Sequence, residues 1–351
     1  MAALKDMIAA LEPVVAGKPH AMLALARMMQ QDGQGAKAFD LCQAALSLAP
    51  DDGMLEAKIN TFVNDGLARW HFTLIHDAAR NAAYEAALRR AITPNSKVLE
   101  IGCGSGLLAM MAARAGAAAV VSCEMVPAIA GKAAEIVARN GYSDRVRVIA
   151  KHSSMLDAET DLGGRADVLV SEIVDSALLG ELVLPAHEHA VRDLLKPGAR
   201  VIPARGVVRV ALGYDRHKTR DLTNIAGFDL SAFRSLAPPA RLIQVGDERL
   251  TLRSDTADLF SFDFASAYCP PAEASVDLVS NGGEINGVAQ WIALTLDEAT
   301  HYEVRPAAGA FSAWLVLFYP FAQEIGTVPG EKIKVYGAHD REHLTIWTEA
   351  R

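Results

Sequence analysis

The stretch VLEIGCGSG, residues 98–106, contains three glycines at alternating positions directly after a run of aliphatic side chains. The aliphatic run is typical of a buried strand, and the segment that follows, residues 106–116, is typical of a helix. Glycines between a strand and a helix allow a sharp turn and let the backbone approach a ligand closely. The stretch therefore predicts a ligand site where a parallel strand meets a helix.

Strand and helix patterns continue to alternate on both sides of this loop. Aliphatic runs typical of strands lie at 119–124, 146–150, 166–172 and 200–206. Between them lie helical patterns, at 128–141 and at 186–198, the second predicted to end at Gly198. This alternation predicts a doubly wound parallel α/β sheet of the Rossmann-like type.

After residue 206 the helical patterns give way to runs in which apolar and polar residues alternate. These runs lie at 207–212, 259–264, 291–296, 314–319, 332–338 and 344–350. Alternation of this kind, bounded by Pro, Gly and Asp, predicts an antiparallel sheet or barrel. One segment, residues 218–237, is predicted to be a helical interruption.

The N-terminal part is rich in Ala, Leu and Met and is predicted to be helical. Residues 20–52 contain two amphipathic stretches in which Ala26, Ala38 and Ala45, followed by Pro50, match the spacing of one tetratricopeptide unit. A plain helical hairpin that docks or stabilises fits equally well. The predicted organisation is a helical segment at 1–64, a Rossmann-like α/β domain at 65–205 and a barrel domain at 206–351.

Composition limits the classes of partner. The chain has 351 residues and a formal net charge of -8, which argues against sequence-independent nucleic-acid binding. No apolar run approaches the ~20 residues that span a bilayer, and the N-terminus does not resemble a secretory signal. The four scattered cysteines fit reduced thiols in a cytoplasm. We therefore expect a cytoplasmic protein without a metal, a nucleic-acid partner or a membrane partner. His187 and His189 are expected to begin a helix and not to bind a metal.

The glycine loop departs from the dinucleotide fingerprint, because Leu107 stands where a third glycine of GxGxxG would be. The second strand ends at Glu124, 18 residues after Gly106, where a carboxylate can hold both hydroxyls of a ribose. Ser153 and Ser154 follow the third strand at the same edge of the sheet. Together these features favour S-adenosylmethionine over a nicotinamide cofactor.

Two acids lie at the ends of a mostly apolar loop, SEIVDSALLGE, residues 171–181. Glu172 and Glu181 flank this loop, and Asp175 lies between them. Carboxylates that are buried close together repel each other and lose hydration. A positively charged ligand held between them would offset both costs.

With these pieces in place, the sequence resembles the protein arginine methyltransferases. The segments that carry the resemblance lie at 69–84, 98–117, 121–124, 151–155, 171–181 and 184–195. The chain looks like a bacterial member and is most similar to the branch that carries tetratricopeptide repeats and forms monomethyl or symmetric dimethylarginine. The resemblance implies a Rossmann-like domain, then a β-barrel interrupted by a dimerisation arm at about 216–243, and a homodimer.

The resemblance also implies roles for individual residues. Glu172 and Glu181 would be the catalytic pair that grips the guanidinium of the substrate, and Arg80 would bind the methionine carboxylate of S-adenosylmethionine. The other cofactor-binding residues that it implies are Glu100, Gly102, Gly104, Gly106, Glu124, Met125, Ser153 and Ser154. The substrate-pocket residues that it implies are Asp175, Trp314 and His76. The product of the cofactor would be S-adenosylhomocysteine.

The sequence departs from the family in one barrel loop. Most members have Thr-His-Trp or Asp-His-Trp there, with a glutamine two residues later, whereas this chain has Ser312, Ala313 and Trp314, with Val316 in the glutamine position. The missing histidine shapes the substrate pocket and supports the glutamate loop in the family. His301 is one potential replacement, although a lone histidine near a turn is usually solvated.

Three functional hypotheses follow. The leading one is methyl transfer from S-adenosylmethionine to arginine in a protein or peptide. The first alternative is the same chemistry on free arginine or another small guanidine in a biosynthetic pathway, suggested by the altered barrel loop. The second is a cofactor-binding pseudoenzyme that acts as a scaffold. The sequence leaves open the number of methyl groups and the nitrogen that receives them.

Overall fold

The computed structural model describes residues 2–64, 70–217 and 222–349. Before residue 65 it contains the helices α1 (Ala2–Val15), α2 (Pro19–Gln31), α3 (Gly35–Leu48) and α4 (Gly53–Asn64). These helices, here called the N-terminal helical unit, enclose a hydrophobic cluster of their own around Leu25, Cys42 and Leu55. The predicted pair at 20–52 corresponds to α2 and α3, which pack on each other, and its tetratricopeptide character stays a prediction.

The middle of the chain forms a parallel sheet with helices between its strands. Its elements are α5 (Trp70–Ile75), α6 (Ala78–Ala91), β1 (Lys97–Ile101), α7 (Leu107–Arg114), β2 (Ala119–Glu124), α8 (Pro127–Arg139), β3 (Val146–Ala150), β4 (Ala166–Ser171), α9 (Val183–His189) and β5 (Leu195–Ile202). The strand order is β3-β2-β1-β4-β5, with parallel pairing throughout. The Rossmann-like prediction is confirmed. The order reverses between β1 and β4, and ligands of such sheets bind outside the carboxyl ends of the strands at this point.

His187 and His189 lie near the end of α9 and do not begin a helix, and the helix predicted at 186–198 is wrong over its last four residues. It begins earlier, at Val183, and continues after His189 as a π-helical turn, Ala190–Leu194. Leu195 then begins β5 and pairs with Ala166 of β4. Pro197 has no backbone N–H to continue a helix, so pairing with β4 prevails there.

The C-terminal part forms an eight-stranded antiparallel sheet, as predicted. Its strands are β6 (Arg205–Asp215), β7 (Arg241–Ile243), β8 (Leu250–Leu252), β9 (Ala257–Asp263), β10 (Ala272–Asp297), β11 (Thr300–Glu303), β12 (Val316–His339) and β13 (Leu344–Thr348). The long strands β10 and β12 pair along most of their length. Both sheets share one continuous hydrophobic core.

The two sheets meet closely beside the loop that follows β4. A Cβ at Gly206 would lie 2.6 Å from the Phe264 ring and 3.0 Å from Leu178 of that loop. Glycine at this position therefore lets the loop pack directly against the antiparallel sheet. No helix in the described ranges is long and apolar enough to cross a membrane.

The segment predicted to be a helical arm is mostly irregular. Residues 218–221 lie outside the described residues. Ile225 and Phe228 form an isolated antiparallel bridge around a turn, in which Gly227 has a φ of +87°. A short 3-10 helix at Ser231–Leu236 is the helical part of the described segment, so the helix predicted for residues 222–230 is wrong.

Candidate active site

A cavity of about 900 Å³ lies at the carboxyl edge of the parallel sheet. It is bordered by the loop after β1, the end of β2, the segment after β3 and the loop after β4. The residues predicted from the sequence that line it are Arg80, Glu100, Gly102, Gly104, Glu124, Met125, Ser153, Ser154, Glu172 and Glu181. One cavity thus collects the predicted cofactor residues, except Gly106, and both predicted catalytic glutamates.

The glycine loop after β1 depends on left-handed backbone. Gly102 has a φ of +81°, and a Cβ there would lie 2.5 Å from Cγ2 of Ile173, the neighbour of Glu172. Gly104 has a φ of +52°, and a Cβ built there would have no neighbour within 4 Å. Gly106, outside the lining, caps α7 with a φ of +78° and packs near Val137 of α8. Gly102 and Gly104 therefore present backbone to the cavity.

Two acids hold this loop and its neighbouring strand. Oε2 of Glu124 accepts the Gly104 N–H at 3.1 Å, and Oε1 accepts the Val126 N–H at 2.9 Å. Glu100 is buried, and its Oε2 accepts a hydrogen bond from the Ser122 hydroxyl. Burial raises the pKa of Glu100 to about 8, although Ser122 and Arg80 oppose the shift.

Arg80 lies on α6 with its guanidinium in the cavity wall. Its Nη2 donates to Oε2 of Glu172 at 2.9 Å, its Nη1 donates to Oδ1 of Asn81 at 2.8 Å, and the guanidinium lies 4.8 Å from the Tyr84 ring centre. The Nε–H has no hydrogen-bond partner among the described residues. A buried donor without a partner is costly. The arrangement fits an anionic group, such as the carboxylate of the predicted cofactor.

Glu172 and Glu181, the glutamate pair, lie at the two ends of the loop after β4. Glu172 is only 8% exposed, and burial raises its pKa to about 8, with Arg80 opposing and Glu181 adding to the shift. Glu181 is partly buried, and burial, with the charges of Asp175 and Glu124, raises its pKa to about 7. Both acids would be stabilised in their ionised forms by a cation in the cavity.

Two predicted pocket residues brace this loop and do not line the cavity. Oδ1 of Asp175 accepts the N–H groups of Ala177 at 3.0 Å and Gly180 at 3.1 Å. The indole N–H of Trp314 donates to the Val174 carbonyl at 2.8 Å. Both side chains therefore fix the backbone that carries the glutamate pair.

His76, the third predicted pocket residue, does not line the cavity and needs a correction. It is exposed, and its Nδ1 contacts the Phe72 carbonyl at 2.7 Å, just past the end of the short helix α5. His71, at the start of α5, lines the cavity instead. Burial lowers the pKa of His71, and the charge of Glu124 opposes this shift.

His187 has a positioning contact that sequence reasoning missed. The Ser171 hydroxyl donates to its Nε2 at 2.6 Å, and its Nδ1–H donates to the Phe264 carbonyl at 3.2 Å. Burial lowers the pKa of His187 to about 4, so the ring is neutral near pH 7. The histidine links the residue just before Glu172 to the antiparallel sheet. The described residues contain no cluster of three side chains that could hold a metal ion.

The N-terminal helical unit supplies part of the cavity wall, which the sequence did not indicate. Its lining residues are Phe39, Gln43, Ile59, Asn60, Val63 and Asn64. Phe39 of α3 packs against Gly131 of α8, where an added Cβ would lie 3.3 Å from the ring. The unit is therefore more than the appendage that its composition predicted.

Several known proteins are similar to this chain in sequence. An arginine N(omega)-methyltransferase of Streptomyces achromogenes subsp. streptozoticus is 37% identical over 298 residues, which are 83% of this chain and 81% of that protein. Protein arginine N-methyltransferase 7 is 39% identical in Drosophila grimshawi, over 50% of this chain and 26% of that protein. The Gallus gallus protein of the same name is 29% identical, over 78% of this chain and 45% of that protein. The chain thus spans less than half the length of these two relatives.

A family profile and two solved structures match as well. The profile of ribosomal protein L11 methyltransferase (PrmA) matches residues 84–205. The Trypanosoma brucei PRMT1 enzyme-prozyme heterotetrameric complex with AdoHcy is 21% identical, with a TM-score of 0.70 over 79% of this chain and 92% of that chain. Arabidopsis thaliana protein arginine methyltransferase 10 is 17% identical, with a TM-score of 0.66 over 79% and 89%. These likenesses describe a shared fold.

The wall contributed by α3 yields a prediction. The Phe39→Ala substitution should weaken S-adenosylmethionine binding about 5- to 30-fold, because loss of a large apolar wall residue removes on the order of 1–2 kcal/mol of burial. Isothermal titration calorimetry measures the effect. Leu48→Ala, at an exposed position of the same helix, is the matched control. Equal affinities for both variants would show that the N-terminal helical unit takes no part in binding the cofactor.

Proposed function

This chain belongs to the arginine N-methyltransferase family, and from that premise we propose that its acceptor is the guanidinium group of free arginine. It is an S-adenosylmethionine-dependent arginine N-methyltransferase. Support for the free amino acid comes from the Streptomyces relative, which is named for arginine and matches 83% of this chain and 81% of its own length. The Ser312-Ala313-Trp314 loop also lacks the histidine that most family members carry, which suggests an altered acceptor pocket.

The observation that carries a guanidinium acceptor, whether free or in a protein, is the glutamate pair on one wall of the cavity. Each of these acids has a pKa raised by burial, so its charged form is costly without a partner. An arginine side chain is always charged and presents a planar fork of donors. Two carboxylates can grip such a fork from two sides, which offsets the cost of burying them.

Other residues would hold the cofactor. The unpaired Nε–H of Arg80 would donate to the carboxylate of the cofactor. The backbone of Gly102 and Gly104 would lie along the cofactor, and Glu124 would bind its ribose hydroxyls. When bound, S-adenosylmethionine supplies an electrophilic methyl group on a sulfonium centre and leaves as S-adenosylhomocysteine. Arg80 would thus connect the two halves of the site, because it also binds Glu172.

The glutamate pair would act by orientation and charge. Holding the fork aligns one terminal nitrogen, and well-oriented reactions recover on the order of 7–11 kcal/mol of the barrier. The two carboxylates also relieve the repulsion between a cationic acceptor and a cationic donor. The acceptor nitrogen gains a methyl group and loses one proton, which a carboxylate with the raised pKa of Glu172 can accept near neutral pH.

Arginine in a protein or peptide is the second candidate acceptor. Its support is the set of relatives named protein arginine N-methyltransferase 7, some of which match 78% of this chain. The cavity and the glutamate pair suit either acceptor, because both present the same guanidinium. A scaffold that binds the cofactor without transferring methyl is the remaining outcome.

The acceptor can be identified directly. Purified protein is incubated with labelled S-adenosylmethionine and either free arginine or total cell protein, and mass spectrometry identifies the products. We expect label in N-methylated free arginine, and fragmentation shows which nitrogen carries the methyl group. The Glu181→Gln variant, which keeps the shape of the side chain but not its charge, should bind cofactor normally and lose transfer. Label found only in protein would overturn the free-arginine proposal, and transfer by Glu181→Gln at the wild-type rate would refute the role of the glutamate pair.

The raised pKa of Glu181 predicts a pH dependence. A protonated carboxyl group cannot attract a guanidinium, so kcat/KM for the acceptor should rise with pH as Glu181, whose pKa is raised to about 7, loses its proton. Initial rates between about pH 6 and 9 at saturating cofactor measure the profile. Circular dichroism at each pH controls for unfolding. A flat profile, or one that falls over this range, would contradict the assignment.

The irregular arm supports a proposal about assembly, namely a homodimer. Phe228, Phe233 and Leu236 expose 69%, 68% and 72% of their surface. Apolar side chains clustered on a projecting segment are typical of an interface, and a second copy of the chain is the simplest symmetric partner. Sedimentation velocity should find a dimer that Phe233→Asp dissociates. Val328→Asp, at a position 65% exposed on β12, should leave the dimer intact. A monomeric wild-type protein would contradict this proposal.

A further inference from the structure

The loop that lacks the usual histidine and glutamine is held by groups from elsewhere in the chain. Its backbone at Leu315 donates to the Ser176 hydroxyl at 2.9 Å, and Trp314 donates to the Val174 carbonyl at 2.8 Å. Gln290, fully buried on β10, donates to the Ser176 carbonyl at 3.1 Å. These contacts join residues 312–315, here called the barrel loop, to the loop that carries Glu172 and Glu181.

On its other side, the barrel loop meets a buried carboxylate. Asp77 is 1% exposed and begins helix α6, where its Oδ1 accepts the Arg80 N–H at 2.9 Å. Its Oδ2 accepts the Ala313 N–H at 3.1 Å and the Tyr302 hydroxyl at 2.6 Å. The carboxylate therefore connects the helix that carries Arg80 to the barrel loop, and Tyr302 supplies the side-chain donor.

Tyr302 also contacts the barrel loop itself. Its hydroxyl lies 3.0 Å from the Ser312 hydroxyl, which in turn accepts the Trp314 N–H at 3.2 Å. The rings of Tyr302 and Trp314 pack edge to face with centres 5.5 Å apart. The hydroxyl is a neutral donor, because burial and the contact with Asp77 raise its pKa.

The neighbouring histidine is not the replacement. His301 is exposed, and its ring contacts Thr295 at 3.2 Å on the outer face of the sheet. Successive residues of a strand point to opposite faces, so on β11 Tyr302 faces inward where His301 faces outward. The inward position is the one that reaches Asp77.

We propose that the Tyr302 hydroxyl is a positioning group that takes over the support given elsewhere in the family by the missing histidine of the barrel loop. It fixes Asp77, and with it the start of the helix that carries Arg80. Through Ser312 and Trp314 it fixes the loop that carries Glu172. Tyr302 does not line the cavity and so acts through these residues. The inference rests on the proposed arginine methyl transfer.

The test is the Tyr302→Phe variant, which removes the hydroxyl and keeps the ring against Trp314. Loss of a hydrogen bond to a buried carboxylate should cost enough free energy in the transition state to lower kcat about 10- to 100-fold. Affinity for S-adenosylhomocysteine, measured by calorimetry, should fall by a smaller factor than kcat, because the glycine loop and Glu124 are untouched and only the contact of Arg80 is loosened. Tyr336→Phe, which removes a hydroxyl from a half-buried residue bonded to Glu349, is the matched control and should behave as wild type.

A rescue variant separates positioning from general stability. Adding Ala313→His to Tyr302→Phe returns the family's histidine to the barrel loop and should restore at least part of kcat. Binding of arginine to the S-adenosylhomocysteine complex needs no turnover, and we expect Tyr302→Phe to weaken it about tenfold or more. This readout decides the inference even if the wild-type complex binds arginine without transferring methyl, which would be a failure of the proposed function alone. The inference would be overturned if Tyr302→Phe kept wild-type kcat and arginine affinity. It would also be overturned if all functions fell equally, the melting temperature fell with them and Ala313→His gave no rescue.

Discussion

The site depends on one buried ion pair, Arg80 with Glu172, in which the two side chains are 4% and 5% exposed. Such a pair is expensive to form, and removal of either partner leaves an uncompensated charge in the interior. Other residues fix the backbone next to each of the two side chains. Asp77 begins the helix of Arg80, and Ser171, just before Glu172, is held by His187 and by the Tyr84 hydroxyl. The glycine loop, the glutamate pair and the barrel loop are all arranged around this pair.

Features of the site set by local sequence could be predicted. The strand-loop-helix pattern at 98–116 specifies a parallel sheet, and the carboxyl ends of its strands must meet at one edge. Glu124 and Glu172 each follow or end a strand there, so the sequence alone brings them to the same cavity as Gly102 and Gly104. Six runs after residue 206 likewise predicted the antiparallel sheet, because apolar residues at every second position are typical of a strand with one buried face.

Features that depend on long-range packing could not be predicted. Tyr302 reaches Asp77 across 225 positions of sequence, and Gln290 reaches Ser176 across 114. No local pattern distinguishes these side chains from ordinary inward residues of a strand. The error at His76 has a different cause, since the orientation of a six-residue helix is set by what it packs on and not by periodicity. In the arm, Gly227 and its neighbours turn the chain where composition had suggested a helix.

The contact of Phe39 with Gly131 joins the N-terminal helical unit to α8, and it does so at the wall of the ligand cavity. Occupancy of the cavity and the docking of the first four helices are then thermodynamically linked. Anything that draws those helices away, such as a protein bound to their outer surface, lowers the fraction of enzyme charged with methyl donor. Linkage is reciprocal, so a rise in donor concentration would disfavour that partner by the same factor.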